Sequence, residues 1–152
     1  MKQDFETIDD ILDFAIASEQ EAVDFYNELA ESSTTEDMKK VFAQFAREEI
    51  GHKARLTKVK KEGAYQMTRD QVKDLKISDY LVDVNPSAQM TYEEALVVAM
   101  KREKNAFKLY LNLAGKAPNK QMQELFQALA QEESKHKLRF ELEYDEHVLR
   151  EN

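Results

Sequence analysis

The sequence contains no cysteine and no tryptophan, and only three glycines and two prolines among its 152 residues. Without cysteine, the chain itself cannot form a disulfide, ligate an iron–sulfur cluster, build a zinc–thiolate site or use a thiol nucleophile. With so few glycines and prolines, it lacks the turns of an all-β domain. A cysteine-free chain fits a reducing compartment, so we expect it in the cytoplasm.

Long apolar runs and clusters of positive charge are also missing. No run approaches the roughly 20 apolar residues that a membrane span requires, and residues 1–6 have no signal-peptide core. The formal net charge is −8 and is spread along the chain. Because phosphate binding needs clustered Lys and Arg, nucleic acid is not expected as a partner, and neither is a membrane.

Amphipathic periodicity is what the sequence does have. Apolar residues recur at three- and four-residue steps in four segments, which predicts four long helices. The predicted fold is all-α: a four-helix bundle of two antiparallel hairpins, joined by a long crossover over about residues 64–90. Within that crossover, residues 68–76 predict a short helix, and Asn85-Pro86-Ser87 a turn. The expected helix-end signals are Thr7, Thr34, Gly63, Thr91, Gly115 and Pro118.

The two halves of the chain, about residues 7–62 and 91–146, superpose without a gap. Residues 84 positions apart match in both apolar and polar positions. The matched apolar pairs are Leu12/Leu96, Ala15/Ala99, Ala22/Ala106, Met38/Met122, Phe42/Phe126 and Ala46/Ala130. This internal duplication predicts a single domain over residues 1–152, in which two hairpins pack around one centre with approximate two-fold symmetry.

Charged residues interrupt the apolar stripes at corresponding places in the two halves. The residues are Glu19, Glu49, His52, Glu103, Glu133 and His136. A buried carboxylate persists when it is paired or coordinates a metal. Four carboxylates and two imidazoles suit two divalent cations, as in di-iron and di-manganese carboxylate bundles. Mixed oxygen and nitrogen ligands favour iron, manganese, cobalt or zinc over calcium or magnesium.

Each of these side chains has an expected role. Glu49 and Glu133 would bridge the two ions, whereas Glu19 and Glu103 would each bind mainly one ion. Each histidine would complete the coordination of one ion.

The neighbouring residues can support that centre. We expect Glu132 to accept the far-side proton of His52, and Glu48 that of His136. Tyr26 and Tyr110 need partners for buried hydroxyls, and a ligand carboxylate is the obvious one. A catalytic role for the two tyrosines in support of the site and a plain core role are both open. His147, near the end of the last helix, is expected to be solvated.

Glu19, Glu49-x-x-His52, Glu103 and Glu133-x-x-His136, with tyrosines seven residues after the first and third glutamates, resemble the ferritin-like superfamily. The pattern is most similar to rubrerythrin-type di-iron domains and to the ferroxidase centre of bacterioferritins, over about residues 5–145. The resemblance implies a ferritin-like bundle with two iron ions, manganese or zinc being alternatives. It also implies a non-haem oxidoreductase that reduces hydrogen peroxide or dioxygen.

Two departures from rubrerythrins shape the expectation. Full-length rubrerythrins carry a cysteine-ligated rubredoxin domain, so this cysteine-free chain would take electrons from an external donor, such as a rubredoxin-type protein. Rubrerythrins also usually carry an additional glutamate ligand one turn from the one on the third long helix. Met100 and Ala106 stand in those turns here, which resembles bacterioferritin.

Three functions remain open on the sequence. The first is the peroxide- or dioxygen-reducing enzyme, expected as a homodimer. The second is a ferroxidase or iron-binding protein for iron storage or delivery. The third is a metal-stabilised structural or interaction bundle.

Overall fold

The computed structural model describes residues 5–79, 81 and 90–151, and within them the chain forms helices and no strand. The helices are α1 (Ile8–Ser32), α2 (Glu36–Glu62), α3 (Arg69–Asp74), α4 (Tyr92–Gly115) and α5 (Lys120–Glu151). A short 3-10 turn, Ile77–Asp79, follows α3. The predicted all-α fold is confirmed, and α3 lies where the crossover was expected to hold a short helix. The predicted turn Asn85-Pro86-Ser87 lies outside the described residues.

Threonine side chains begin three of the long helices. Thr7 and Thr91 form capping boxes with the residue three positions on, satisfying two backbone donors at each end. The cap of α2 is Thr35, not the predicted Thr34: the Thr35 side chain accepts the Met38 backbone N–H at 3.2 Å. Both threonines carry the same hydroxyl, so the capping residue is decided by which one the backbone places in front of the first turn.

Of the remaining end signals, Gly63 and Gly115 lie at the ends of α2 and α4 as predicted, whereas Pro118 differs. Gly63 ends α2 with a φ of 61°, which is a left-handed conformation. Glycine adopts it at the lowest cost because it has no Cβ. Pro118 was expected in the first turn of α5, but that helix begins at Lys120. The Asn119 side chain caps it by accepting the Met122 backbone N–H at 2.9 Å.

Side-chain contacts define how the helices run. Lys53 reaches Gln20 at 2.8 Å and Lys60 reaches Asp13 at 2.5 Å, so α1 and α2 are antiparallel. The helices α4 and α5 form the second hairpin, and α1 also runs antiparallel to α4. Consequently α2 and α4 point the same way, and the crossover must travel the length of the bundle between them.

Two apolar clusters fill the ends of the bundle. One lies beside the crossover and includes Leu12, Leu56, Val72 and Phe126. The other includes Val23, Phe42, Leu96 and Phe140 at the opposite end. Each fully buried side chain of this size contributes about 1.5–3 kcal/mol through removal of apolar surface from water. Between the clusters lies a layer of polar residues.

Within the described part of the chain, none of the helices combines the length and apolar character that crossing a membrane would need.

Candidate metal centre

The four long helices each contribute one carboxylate to the polar layer between the two apolar clusters. None of these carboxylates is more than 2% exposed: Glu19, Glu49, Glu103 and Glu133. One turn after the second and fourth of them lie His52 and His136, which are equally buried. All six residues singled out in the sequence therefore meet at one place. Their role as metal ligands stays a prediction.

The six side chains form two overlapping groups, each able to hold one cation. One group is Glu19, Glu49, His52 and Glu133, and the other is Glu49, Glu103, Glu133 and His136. Within each group the ligand atoms lie within 4.8 Å of one another. Glu49 and Glu133 belong to both groups, as bridging residues would. The two imidazole rings are nearly parallel, with 6.3 Å between their centroids.

Hydrogen bonds on the far side of each imidazole orient the rings. His52 Nε2 lies 2.9 Å from Glu132 Oε2, and His136 Nε2 lies 3.1 Å from Glu48 Oε2. These are the two pairs expected from the sequence. Because an ionised carboxylate can only accept, each Nε2 carries the proton and donates it. This arrangement leaves both Nδ1 atoms facing the centre, free to bind a cation.

Two buried tyrosines orient two of the four carboxylates. Tyr26 donates its hydroxyl to Glu103, and Tyr110 donates to Glu19, so each bond joins α1 to α4. Burial, followed by the facing carboxylates, raises the pKa of both phenols well above the usual value. The hydroxyls therefore stay protonated and keep donating. Each holds one carboxylate oxygen away from the centre and leaves the other turned inward.

Seven buried ligand atoms that face the centre have no hydrogen-bond partner. They are Glu19 Oε2, both Glu49 oxygens, His52 Nδ1, Glu103 Oε2, Glu133 Oε1 and His136 Nδ1. Some lie close without suitable angles, as do His136 Nδ1 and Glu49 Oε1 at 2.9 Å. A buried polar atom without a partner costs about 1–3 kcal/mol, and more when it is charged. So many such atoms directed at one point indicate a cationic ligand.

The protonation of the metal-free cluster reflects the same crowding. Burial raises the pKa of the Glu19, Glu103 and Glu133 carboxyls, and the neighbouring carboxylates add to the rise. Burial alone would do the same to Glu49, but the close approach of Glu19 and of both imidazoles holds its pKa well below the usual value. Without metal, the site must therefore hold protons to limit the repulsion between its carboxylates.

The imidazoles shift in the opposite direction from what burial would cause. Burial would lower the pKa of a histidine, but the facing carboxylates outweigh it. Glu19 and Glu49 raise the pKa of His52 to about 10, and Glu103 and Glu49 raise that of His136 to about 11. Both rings are therefore cationic at neutral pH in the metal-free protein, and a metal ion would displace these protons.

The donor set fits two divalent transition-metal ions. Carboxylate oxygens and imidazole nitrogens suit iron, manganese, cobalt and zinc. Four negative charges balance two doubly positive ions, which makes the burial of the charges tolerable.

A second buried polar cluster lies near the C-terminal end of α5, and its role was not expected from the sequence. Tyr92 donates to Glu143 Oε2 at 2.8 Å, and Arg150 approaches the same oxygen at 3.3 Å. His147 was expected to be solvated but is only 9% exposed, with its ring 5.0 Å from that of Tyr92. It is buried because α5 continues past the polar layer and packs against the start of α4.

The family model described as Rubrerythrin matches residues 10–92 and 94–151. No curated protein and no solved structure matches the chain.

Proposed function

The chain belongs to the rubrerythrin family, and from this membership and its buried cluster we propose that it is a non-haem di-iron oxidoreductase that reduces hydrogen peroxide or dioxygen. The observation that carries the proposal is the set of seven inward-facing ligand atoms that make no hydrogen bond of suitable geometry. Two iron ions would give each of these atoms a cation to bind. Manganese or zinc would satisfy the same donors, so the identity of the metal belongs to the proposal.

The proposed ligand roles follow the two overlapping groups. Glu19 and His52 would hold one ion, and Glu103 and His136 the other. Glu49 and the equivalent Glu133 would hold both, since each belongs to both groups.

Bound ferrous iron would supply one electron per ion, the two electrons that turn hydrogen peroxide and two protons into two water molecules. The residues of the chain would prepare the site for that chemistry. Tyr26 and Tyr110 hold a proton on each hydroxyl and keep Glu103 and Glu19 in place. Glu132 and Glu48 orient the two imidazoles. The apolar clusters on either side limit the access of water.

Sustained turnover needs a reductant. The source of the electrons and the oligomeric state of the protein are both part of the proposal. We propose an external electron donor, such as a rubredoxin-type protein, because the sequence has no cysteine that could ligate an iron centre of its own. The homodimer likewise stays a prediction.

A ferroxidase that takes ferrous iron as substrate, for storage or delivery, is the second candidate. The observation that favours it is the pair of residues one turn either side of Glu103. Met100 packs in the apolar cluster that contains Phe140, and Ala106 packs against the cluster that contains Phe126. Neither side chain can supply the additional carboxylate that rubrerythrins usually have.

Anaerobic titration with ferrous iron, followed by rapid mixing with hydrogen peroxide or dioxygen, tests the proposal. We expect saturation at two irons per chain and a near-ultraviolet absorbance change that is faster with peroxide. Glu49→Ala should lose iron binding, whereas the control Glu28→Ala, which removes an exposed carboxylate from α1, should retain it.

The other outcomes discriminate between the candidates. Faster oxidation by dioxygen with continued iron uptake would favour the ferroxidase. Failure to bind iron, or unchanged binding in Glu49→Ala, would overturn the site assignment and leave a helical bundle.

A further inference from the structure

The two ion positions are related by the 84-residue repeat, but one arginine breaks their equivalence. Arg55 and Arg139 are repeat equivalents. Arg55 Nη1 lies 3.3 Å from Glu132 Oε2, the same oxygen that accepts the His52 proton. Arg139 instead donates to Met38 Sδ at 3.1 Å. Among the described residues, no arginine or lysine pairs with Glu48, the acceptor behind His136.

This difference changes how strongly each imidazole can donate to a cation. A carboxylate that accepts the far N–H of a ligating histidine raises the basicity of the ring. The Arg55 guanidinium draws negative charge from Glu132, so Glu132 pulls less on the His52 proton. Glu48 has no such competitor. His52 should therefore be the weaker ligand and His136 the stronger.

A second difference acts in the same direction. The Phe45 ring stacks on the His136 ring with 4.0 Å between centroids and an angle of 26° between their planes. The repeat equivalent of Phe45 is Leu129, which has no ring to stack. Stacking restricts the rotation of His136, so less orientational freedom is lost when that side chain binds a cation.

We propose that the two ion positions differ in affinity, that the position of Glu103 and His136 fills first, and that Arg55 is the positioning residue behind the difference. The inference rests on the proposed metal binding and adds the order in which the positions fill. Arg55 and Glu132 are 43% and 33% exposed, so solvent screens their attraction. An ion pair of this kind is worth about 0.2–1 kcal/mol, which corresponds to an occupancy ratio of up to about fivefold.

Cobalt(II) provides the test, because it suits these ligands and its positions can be read directly. Crystals of the full chain with less than one equivalent of cobalt would be measured by anomalous scattering at the cobalt absorption edge, and occupancies at the two positions compared. Calorimetric titration in solution would give the two binding steps. We expect higher occupancy beside His136 than beside His52 in the unaltered protein, by up to about fivefold.

Matched variants assign the cause. Arg55→Met should move the ratio toward one, Arg55→Lys should keep most of it because it keeps the charge, and Arg139→Met should leave it unchanged. Equal filling, preferential filling beside His52, or the same ratio in Arg55→Met would each overturn the inference while leaving the metal centre standing. A chain that binds no cobalt, iron or manganese would overturn the proposed function and this inference with it.

Discussion

The two hairpins share a centre and differ at their ends. Ile8 and Val59 in the first half occupy the positions that Tyr92 and Glu143 occupy in the second. The first pair packs in the apolar cluster that also contains Val72 and Leu75 of the crossover segment, whereas the second pair forms a buried hydrogen bond. Equivalent positions therefore became apolar where the crossover covers them, and polar at the opposite end of the bundle.

At the shared centre, by contrast, equivalent positions carry the same residues. Every buried carboxylate and imidazole of the first half has a partner in the second at the same spacing. The two ions proposed for this layer would require two sets of ligands, so substitution in either half would leave buried charge without compensation. The contacts behind the ligands, such as Arg55 with Glu132, are half-exposed and can differ without that cost. The comparison indicates that symmetry is maintained among the side chains that face the centre, whereas the buried Glu143 at the end of the bundle has the apolar Val59 as its equivalent.

Removing a bridging carboxylate should have the largest effect. Glu133 belongs to both cation groups, whereas Glu19 belongs to one. We expect Glu133→Ala to weaken the binding of both metal ions, by more than the roughly 10–100-fold that loss of an outer contact causes. Glu19→Ala should weaken one ion much more than the other. Titration with manganese(II), followed by electron paramagnetic resonance, measures both. Equal loss in the two variants would contradict the assignment of the bridging roles.

The pH dependence of metal binding should follow the imidazoles. In the metal-free protein, facing carboxylates raise the pKa of His52 to about 10 and that of His136 to about 11. At pH 7 both rings carry a proton that must leave when a cation binds. Affinity should therefore rise with pH between about 6 and 9, by about tenfold per pH unit for each proton released.

Calorimetry in buffers of different ionisation enthalpy would count the released protons. If the two halves act alike, we expect the binding of each metal ion to release a proton. Metal binding without proton release at pH 7 would contradict the protonated imidazoles.

Removing one member of the Tyr92–Glu143 pair should lower the free energy of unfolding, whereas replacing both members with apolar residues should change it little. Tyr92→Phe removes a donor from Glu143, which is 1% exposed, so it should lower the free energy of unfolding by about 1–3 kcal/mol. The double variant Tyr92→Ile with Glu143→Val copies the first half and removes both polar groups. It should be close to neutral, because an apolar replacement leaves no buried group without a partner.

Denaturant unfolding measures both changes. A double variant that is less stable than Tyr92→Phe would show that the hydrogen bond is needed for more than satisfying Glu143.

The smallest expected effect concerns the N-terminal cap of α2. Thr35→Ala removes the oxygen that accepts the Met38 N–H and should cost about 1 kcal/mol. Thr34→Ala, the neighbouring control, should cost only a few tenths, since the Thr34 side chain does not cap the helix. Thermal unfolding of the two variants compares them directly. A larger loss in Thr34→Ala would contradict the observed cap.

Much of the fold and of the candidate site could be predicted from sequence because the signals are local. Helical periodicity identified the four long helices, and the capping boxes at Thr7 and Thr91 located two of their starts. The Glu-x-x-His spacing placed two potential ligands on one face of a helix. The constant 84-residue offset then indicated that the two faces meet.

Burial near the C-terminus was missed because it depends on contacts distant in sequence. Both charged and apolar residues neighbour His147 in sequence, and its burial follows from where α5 packs against α4. The choice between Thr34 and Thr35 depends on the path of the backbone between two helices. Neither outcome has a signature in the local residue pattern.

The sequence by itself determined the four helices, several of their end signals and the types of residue on the buried faces, because these follow from periodicity and side-chain chemistry. Only the tertiary structure decided which atoms of those residues face the centre. Tyr26 and Tyr110 donate hydrogen bonds to one oxygen each of Glu103 and Glu19. The Nε2–H groups of His52 and His136 donate to Glu132 and Glu48. These contacts join different helices, so their geometry exists only once the helices have packed.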